Sequence, residues 1–213
     1  MFHDRLHELS EILSSALPGE DSHLEVSPLG RTKSSEAIKH ARDFKESAVS
    51  LVLFGEASVL KTVLIQRPEY EGVHSGQISL PGGKRDVSDI DLRITALREC
   101  EEEVGISRHE LLDVGKLTPV YIPVSNFSVF PYVFFHPSIP QLVKDPKEVV
   151  DIIVFPIQDI CEETAVRRTT VTVSKNMQLK DVPCFVINEK VVWGATALVL
   201  NEFRRIIMNT KLL

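Results

Sequence analysis

Among its 213 residues the sequence holds only three cysteines and one tryptophan. Cys100, Cys161 and Cys184 are odd in number, widely spaced and set among apolar residues. This excludes a disulfide framework and a zinc site, and reads as reduced thiols in a cytosolic protein. No apolar run approaches the roughly 20 residues that a membrane helix needs. The opening residues Met1-Phe2-His3-Asp4-Arg5 carry charge where a secretory leader would have an apolar core. The closing Thr210-Lys211-Leu212-Leu213 falls short of a Ser-Lys-Leu peroxisomal address. A soluble, cytoplasmic chain with no membrane contact is expected. Basic charge is also scarce. The 24 Lys and Arg stand against 30 Asp and Glu, a net −6, which argues against a general nucleic-acid surface. An acidic chain that handles an anionic substrate needs local positive charge or a metal.

What is present is enough apolar matter for one well-filled domain, 43% of the residues. In residues 2–16, Phe2, Leu6, Leu9, Ile12 and Leu13 recur at helical spacing and continue to Leu17, predicting an amphipathic helix that packs on a partner subunit or on its own sheet. Residues 18–35, rich in Pro, Gly and Ser, read as a loop with one short extended piece, and helical character resumes at 36–43. Residues 1–44 thus form an N-terminal helical extension to a domain at 45–209. Strands are predicted at 48–54, 62–66, 77–80, 113–118, 127–135, 148–155, 166–173 and 183–187. A short helix is predicted at 156–163 and a long amphipathic one at 194–209. Ser88 and Asp91 form a capping-box pattern that starts a helix running to Val104 and ending at Gly105. Strands on both sides of one long helix, with another helix at the end, imply an α/β domain with a mixed sheet between helices.

The chemistry is concentrated after Pro81-Gly82-Gly83, in Arg98-Glu99-Cys100-Glu101-Glu102-Glu103-Val104-Gly105-Ile106. Glu99, Glu102 and Glu103 are spaced i, i+3, i+4, which puts three carboxylates on one helix face while Ile94, Leu97, Cys100 and Val104 form the buried stripe. Three clustered anions are costly unless a cation sits among them. Hard oxygen ligands suit Mg²⁺ or Mn²⁺, which recruit substrate phosphates to complete their shell. Glu101 points elsewhere.

The segment resembles the Nudix box, and its second half matches residue by residue from Arg98 to Ile106. The first half departs: Asp89 stands where the pattern has Glu, and eight residues rather than seven then precede Arg98. The resemblance implies a Nudix-type α/β/α sandwich. It implies hydrolysis of a nucleoside diphosphate linked to another group, with Mg²⁺ or Mn²⁺ held by Glu99 and Glu103. Glu102 shares a second ion or holds the attacking water. Arg98 screens or orients the carboxylates, or makes a plain surface salt bridge. Gly82 and Gly83 let the diphosphate approach the backbone. Glu148 is the candidate for a further metal or base carboxylate from beyond the box, against a solvated strand-edge residue. His74 is a candidate substrate contact or an ordinary loop histidine.

The residues before the box address the substrate. Leu64-Ile65-Gln66-Arg67, then His74-Ser75-Gly76-Gln77-Ile78-Ser79-Leu80-Pro81-Gly82-Gly83-Lys84, look like the extended signature of the coenzyme A pyrophosphatase branch. That branch often lengthens the box by one residue, and Trp193-Gly194-Ala195-Thr196 also fits it. Gly72-Val73 departs from the basic residue common there. Arg67 and Lys84 remain anion contacts by charge and position, with Arg67 alternatively pairing Glu69 or Glu71. The expected reaction splits coenzyme A or acyl-CoA into 3′,5′-ADP and (acyl-)4′-phosphopantetheine. Another nucleoside diphosphate, such as ADP-ribose or a dinucleotide, and a catalytically silent Nudix binding module are the alternatives. A homodimer is compatible with the resemblance.

Overall fold

The strand β1 (Lys45–Glu56) organises the fold. Its unbroken run Ala48-Val49-Ser50-Leu51-Val52-Leu53-Phe54 has the composition of a strand covered on both faces rather than one. In the computed structural model, which describes residues 2–56, 59–69, 75–174 and 177–210, that is its position. Ala48, Val52 and Phe54 join one core with Ala96, Leu97, Cys100 and Val104, while Leu51 and Leu53 join a second with Leu198, Phe203 and Ile206. The two-residue strand period distributes alternate side chains between the two cores.

The main sheet adds β2 (Val59–Gln66), β3 (Ile78–Ser79), β4 (Gly82–Lys84), β5 (Leu112–Lys116), β6 (Val120–Ile122), β7 (Phe127–Phe135) and β8 (Asp151–Pro156). Its central order is β3-β2-β1-β7-β5, with β4 on β1, β6 on β7 and β8 on β2. The pairing of β1 with β7 is parallel and the others are antiparallel, so the sheet is mixed as expected. A smaller sheet is built from β9 (Val166–Ser174), β10 (Met177–Ile187) and β11 (Lys190–Val192). One face of the main sheet carries α4 (Leu92–Val104); the other carries α6 (Gly194–Met208) and α1 (Phe2–Leu13). Two helical layers around a mixed sheet give the α/β/α arrangement.

The amphipathic α1 packs on its own sheet. Leu9 and Leu13 are buried in the α6-side core, and a Cβ on Gly115 of β5 would lie 2.6 Å from that of Leu13. The segment expected to be a loop contains α2 (Gly19–Glu25), followed by α3 (Ser34–Ala37) and a 3₁₀ turn at Ile38–His40, while the short helix expected at 156–163 is α5 (Gln158–Cys161). α2 has no apolar stripe to reveal it, because polar groups hold it. The buried Glu202 carboxylate of α6 accepts from the Gly19 amide at 3.1 Å and faces His23 Nε2 at 3.1 Å. It also accepts from the Thr118 amide and hydroxyl at 3.0 and 2.6 Å. Burial works against the charge, yet the hydrogen bonds from His23 and Thr118 hold this carboxyl below its ordinary range.

Candidate active site

The helix α4 starts later than the capping-box pattern predicts. Asp91 is the N-cap, its carboxylate accepting from the Ile94 amide at 2.8 Å, whereas the Ser88 amide and hydroxyl bond to Asp86 in the preceding turn. Gly105 ends the helix with φ 74°, in the left-handed conformation that glycine adopts without strain. Between these caps the three motif glutamates diverge. Glu102 and Glu103 lie 100° apart around the helix on either side of Glu99, so turning Glu103 toward the sheet turns Glu102 toward solvent. The Glu103 and Glu99 side chains are 1% and 12% exposed, while that of Glu102 is 53% exposed.

Glu103 meets the backbone of β4: its Oε2 accepts from the Gly82 amide at 2.7 Å, and Oε1 is 3.5 Å from Arg67 Nη1. Among the described residues Arg67 thus lies against the innermost motif carboxylate rather than pairing with Glu69, while Glu71 lies outside the described residues. A third acid arrives from the loop before β8. The Val143 and Asp145 amides donate to the Val104 and Glu103 carbonyls at the end of α4, at 2.9 and 3.2 Å. Those carbonyls would otherwise lack partners. The Asp145 side chain turns the loop by accepting from the Lys147 amide at 2.7 Å, and Val149 is buried beneath α4. Between these anchors Glu148 is held exposed at the rim. One carboxylate oxygen from each of Glu99, Glu103 and Glu148 then lies within 4.8 Å of the others. Glu102 lies outside this trio.

Burial, with the neighbouring acids adding to it, pushes the Glu103 carboxyl up to about 8, against an ordinary 4.5. Glu99 is also raised, chiefly by burial. Close-set, dehydrated carboxylates of this kind repel one another and would be relieved by a cation. Their hard oxygen donors, with solvent access at Glu148, fit Mg²⁺ or Mn²⁺.

Arg98 is the hub beside them. Its Nε and Nη2 donate to Asp89 at 3.1 and 3.0 Å, and its Nη1 donates to Glu99 at 2.8 Å and Glu102 at 2.9 Å. A further bond from Nη2 reaches the Lys84 carbonyl at 3.2 Å. Asp89 is buried and also accepts from Thr95 Oγ1 at 2.9 Å and the Asp86 amide at 2.9 Å. The Arg98 bond is the leading cause that pulls its pKa down to about 2. Asp89 therefore fixes Arg98, and Arg98 fixes Glu99; only the short interval from Asp89 to Thr95 and Arg98 could have signalled this. Glu101, on the far side of the helix, binds Arg108 Nε at 2.5 Å.

The two glycines have reasons of the protein's own. A Cβ on Gly82 would lie 2.3 Å from the Ala48 carbonyl oxygen, and one on Gly83 would lie 2.4 Å from the Glu99 carboxyl carbon. Gly82 lets β4 meet β1; Gly83 makes room for Glu99. Lys84 is exposed beside them. His74, Gly72 and Val73 lie outside the described residues.

A buried carboxylate set against a glycine turn, with an arginine ordering it, can present a cation to a diphosphate. Residues 45–175 match the NUDIX domain. The Nudix hydrolase NudL of Photorhabdus laumondii is 30% identical over 129 residues, covering 61% of this chain and 67% of that protein. The mitochondrial coenzyme A diphosphatase NUDT8 of Homo sapiens is 34% identical over 133 residues, covering 62% and 56%. The chain spans as little as 25% of the length of other curated relatives, such as Nudix hydrolase 15 of Arabidopsis thaliana. A MutT/nudix family protein from Enterococcus faecalis aligns in structure at a TM-score of 0.47 and 15% identity, over 88% of this chain and 73% of that one. With that match running from the start of β1 to the end of the Val166–Ser174 strand, the chain belongs to the NUDIX domain family.

Proposed function

We propose that the chain is a divalent-cation-dependent pyrophosphohydrolase that cleaves coenzyme A or acyl-CoA into 3′,5′-ADP and (acyl-)4′-phosphopantetheine. The observation that carries the reaction is the convergence of Glu99, Glu103 and Glu148 on one point beside Gly82 and Gly83. For the substrate, support comes from the signature spanning Arg67 and residues 74–84, and from the 34% identity to a protein named coenzyme A diphosphatase.

Glu99 and Glu103 would hold Mg²⁺ or Mn²⁺, with Glu148 at the solvent side. Bound there, the ion would neutralise charge on the diphosphate and lower the pKa of an attacking water. Arg98 keeps Glu99 in place while Asp89 keeps Arg98 in place. Glu102 leans on Arg98 and is in position to order water at the rim. Glu148, the exposed member of the trio, accepts the proton of the attacking water. The oxygen of that water bonds to one phosphorus as the bridging P–O bond breaks, and the bridging oxygen leaves on the other phosphate. Arg67 and Lys84 contribute positive charge for the phosphate oxygens.

Three free cysteines, two of them buried, support a reducing compartment such as the cytoplasm. Among the described residues no helix is long and apolar enough to cross a membrane.

The test is a panel of coenzyme A, ADP-ribose, NADH and diadenosine polyphosphates, incubated with Mg²⁺ or Mn²⁺ and resolved by product chromatography. Coenzyme A should be the best substrate, giving 3′,5′-ADP. Preference for another member overturns the substrate, and no turnover of any member leaves a silent binding module.

A further inference from the structure

Beyond Gly83 the chain lines a groove of about 490 Å³, bounded by Phe44, Lys45, Glu46, Lys84, Arg85 and residues 86, 87 and 89. Its volume is in the range of small-molecule sites, roughly 300–1,000 Å³. It adjoins the carboxylate site through the front half of the box: the Lys84 carbonyl and the Asp89 carboxylate on its wall both bind Arg98, which grips Glu99. A ligand whose diphosphate lies at the carboxylate trio can therefore continue into it.

The charges on its wall are unequal in what they have left to give. Glu46 is paired with Arg85 at 3.1 Å. Asp86 accepts from the Ser88 amide and hydroxyl at 2.8 and 2.7 Å, and Asp89 is committed to Arg98 and Thr95. Arg85 also donates from Nη2 to the Asp89 and Ile90 carbonyls at 3.4 and 3.1 Å. Two ammonium groups remain. Lys84 has no acceptor among the described residues, and Lys45 lies 5.6 Å from the centroid of the Phe127 ring. They are neighbours, since Lys84 pairs with Ser47 across the β1–β4 ladder and Lys45 is two residues along on the same face. Two such cations in a net acidic chain call for an anion. At the same mouth Phe44 is 39% exposed, with its ring fixed edge-on against Tyr121 at 6.5 Å. A fixed, half-open aromatic face suits a planar base.

We propose that this groove binds the nucleoside end of the substrate, with Phe44 against the base. Lys45 and Lys84 hold a phosphate carried outside the scissile diphosphate, as on a 3′-phosphorylated adenosine. This rests on the pyrophosphohydrolase reading, and it assigns that enzyme its means of preferring a phosphorylated nucleoside.

The experiment compares coenzyme A with 3′-dephospho-coenzyme A in the wild type, Lys45→Gln, Lys84→Gln and the double variant. Calorimetric binding of adenosine 3′,5′-bisphosphate and of AMP to the same proteins runs alongside. The wild type should favour the phosphorylated substrate in kcat/KM. Each lysine variant should lose roughly tenfold or more of that preference, the worth of one charge-assisted hydrogen bond. The loss should fall mainly in KM; Lys45→Gln should hydrolyse dephospho-coenzyme A as before, while Lys84→Gln, whose charge also serves the scissile diphosphate, should lose more on coenzyme A than on dephospho-coenzyme A. Equal losses on both substrates, or none on either, overturn the groove while leaving the hydrolase reading intact. If the wild type hydrolyses neither, that reading falls. The groove then stands only if the bisphosphate binds better than AMP in a lysine-dependent way, and is overturned if it does not.

Discussion

Replacing Glu103 by Gln separates the electrostatics of the carboxylate trio from its role in turnover. In the metal-free protein the Glu103 carboxyl is raised by burial from 4.5 to about 8. A raised acid stabilises the fold while protonated. Its contribution is fully present below 4.5, declines as pH rises, and is gone once pH passes about 8. Between pH 6 and 8 the unfolded chain has released this proton while the folded chain still holds it. The loss is about 1.4 kcal/mol per pH unit, on the order of 3 kcal/mol over the window. For a chain of this size that corresponds to roughly 5–10 °C in Tm. The amide of Gln cannot ionise, and its oxygen can still accept from the Gly82 amide. Scanning calorimetry in chelator should therefore show the wild-type Tm falling by this amount more than that of Glu103→Gln between pH 6 and 8. Saturating Mg²⁺ or Mn²⁺ should then raise the wild-type Tm at pH 8 and leave the variant nearly unmoved, since the ion requires the ionised ligand. Turnover in the variant should drop by orders of magnitude. Parallel Tm curves for the two proteins in chelator would refute the electrostatic reasoning, whatever the activity showed.

The glycine turn offers a paired test. Gly83→Ala should fold with near-normal stability but lose most divalent-ion affinity and activity, because the atoms its Cβ meets first belong to the movable Glu99 carboxyl; Gly82→Ala should fail to fold, because its Cβ meets the Ala48 backbone. Thermal shifts with and without Mg²⁺ distinguish the two, and a Gly83→Ala protein with unchanged metal response would sink the assignment of Glu99. Asp89→Asn should cost about 2 kcal/mol at pH 7, from a carboxyl lowered from 3.8 to about 2. That stability is present above 3.8 and lost as pH falls through about 2, so urea unfolding at pH 7 and pH 3 should show the deficit shrinking; a pH-independent deficit contradicts the Arg98 bond as its source. Glu202→Ala should cost about 3 kcal/mol or more by stranding the buried donors of Gly19 and Thr118. It should also open the α2 region to limited proteolysis, and an unchanged cleavage pattern would remove the clasp from the account of how α2 is held.

The parts of the fold that could be read beforehand were those in which side-chain period and burial agree. Phe127–Phe135 emerged at its predicted bounds, and the last helix within a residue of its predicted end, because most of their buried positions are apolar; Ser128, Asn201, Glu202 and Arg204 are buried polar exceptions. The parts missed follow another logic. Val120–Ile122 and Lys190–Val192 are only three residues long, too short to show a period. α2 is held by a buried carboxylate 183 residues away from Gly19, and no local pattern announces such a partner. In the site, spacing alone placed the three glutamates on one face. It could not say that contact with β4 would turn Glu103 inward and Glu102 out. Glu148 had been singled out by resemblance alone; the two loop-to-helix backbone bonds that position it have no sequence signature.

The irregular front half of the box has a physical reading of the same kind. The acid that clamps Arg98 must reach the guanidinium from outside the helix, since α4 begins only at Leu92. Aspartate is one methylene shorter than the glutamate of the usual pattern, so its backbone must come closer. The turn at 85–90 brings it there: the Asp89 amide donates to the Asp86 carbonyl at 3.1 Å, the Asp86 amide donates back to the Asp89 carboxylate, and Arg85 ties down the Asp89 and Ile90 carbonyls. The extra residue before Arg98 gives the chain the slack for this turn, and Ile90, 86% exposed, packs against little. A shorter acid and a longer loop thus compensate one another, and the bond from Arg98 to Glu99 survives both changes. The same turn also forms one wall of the groove beside Lys84.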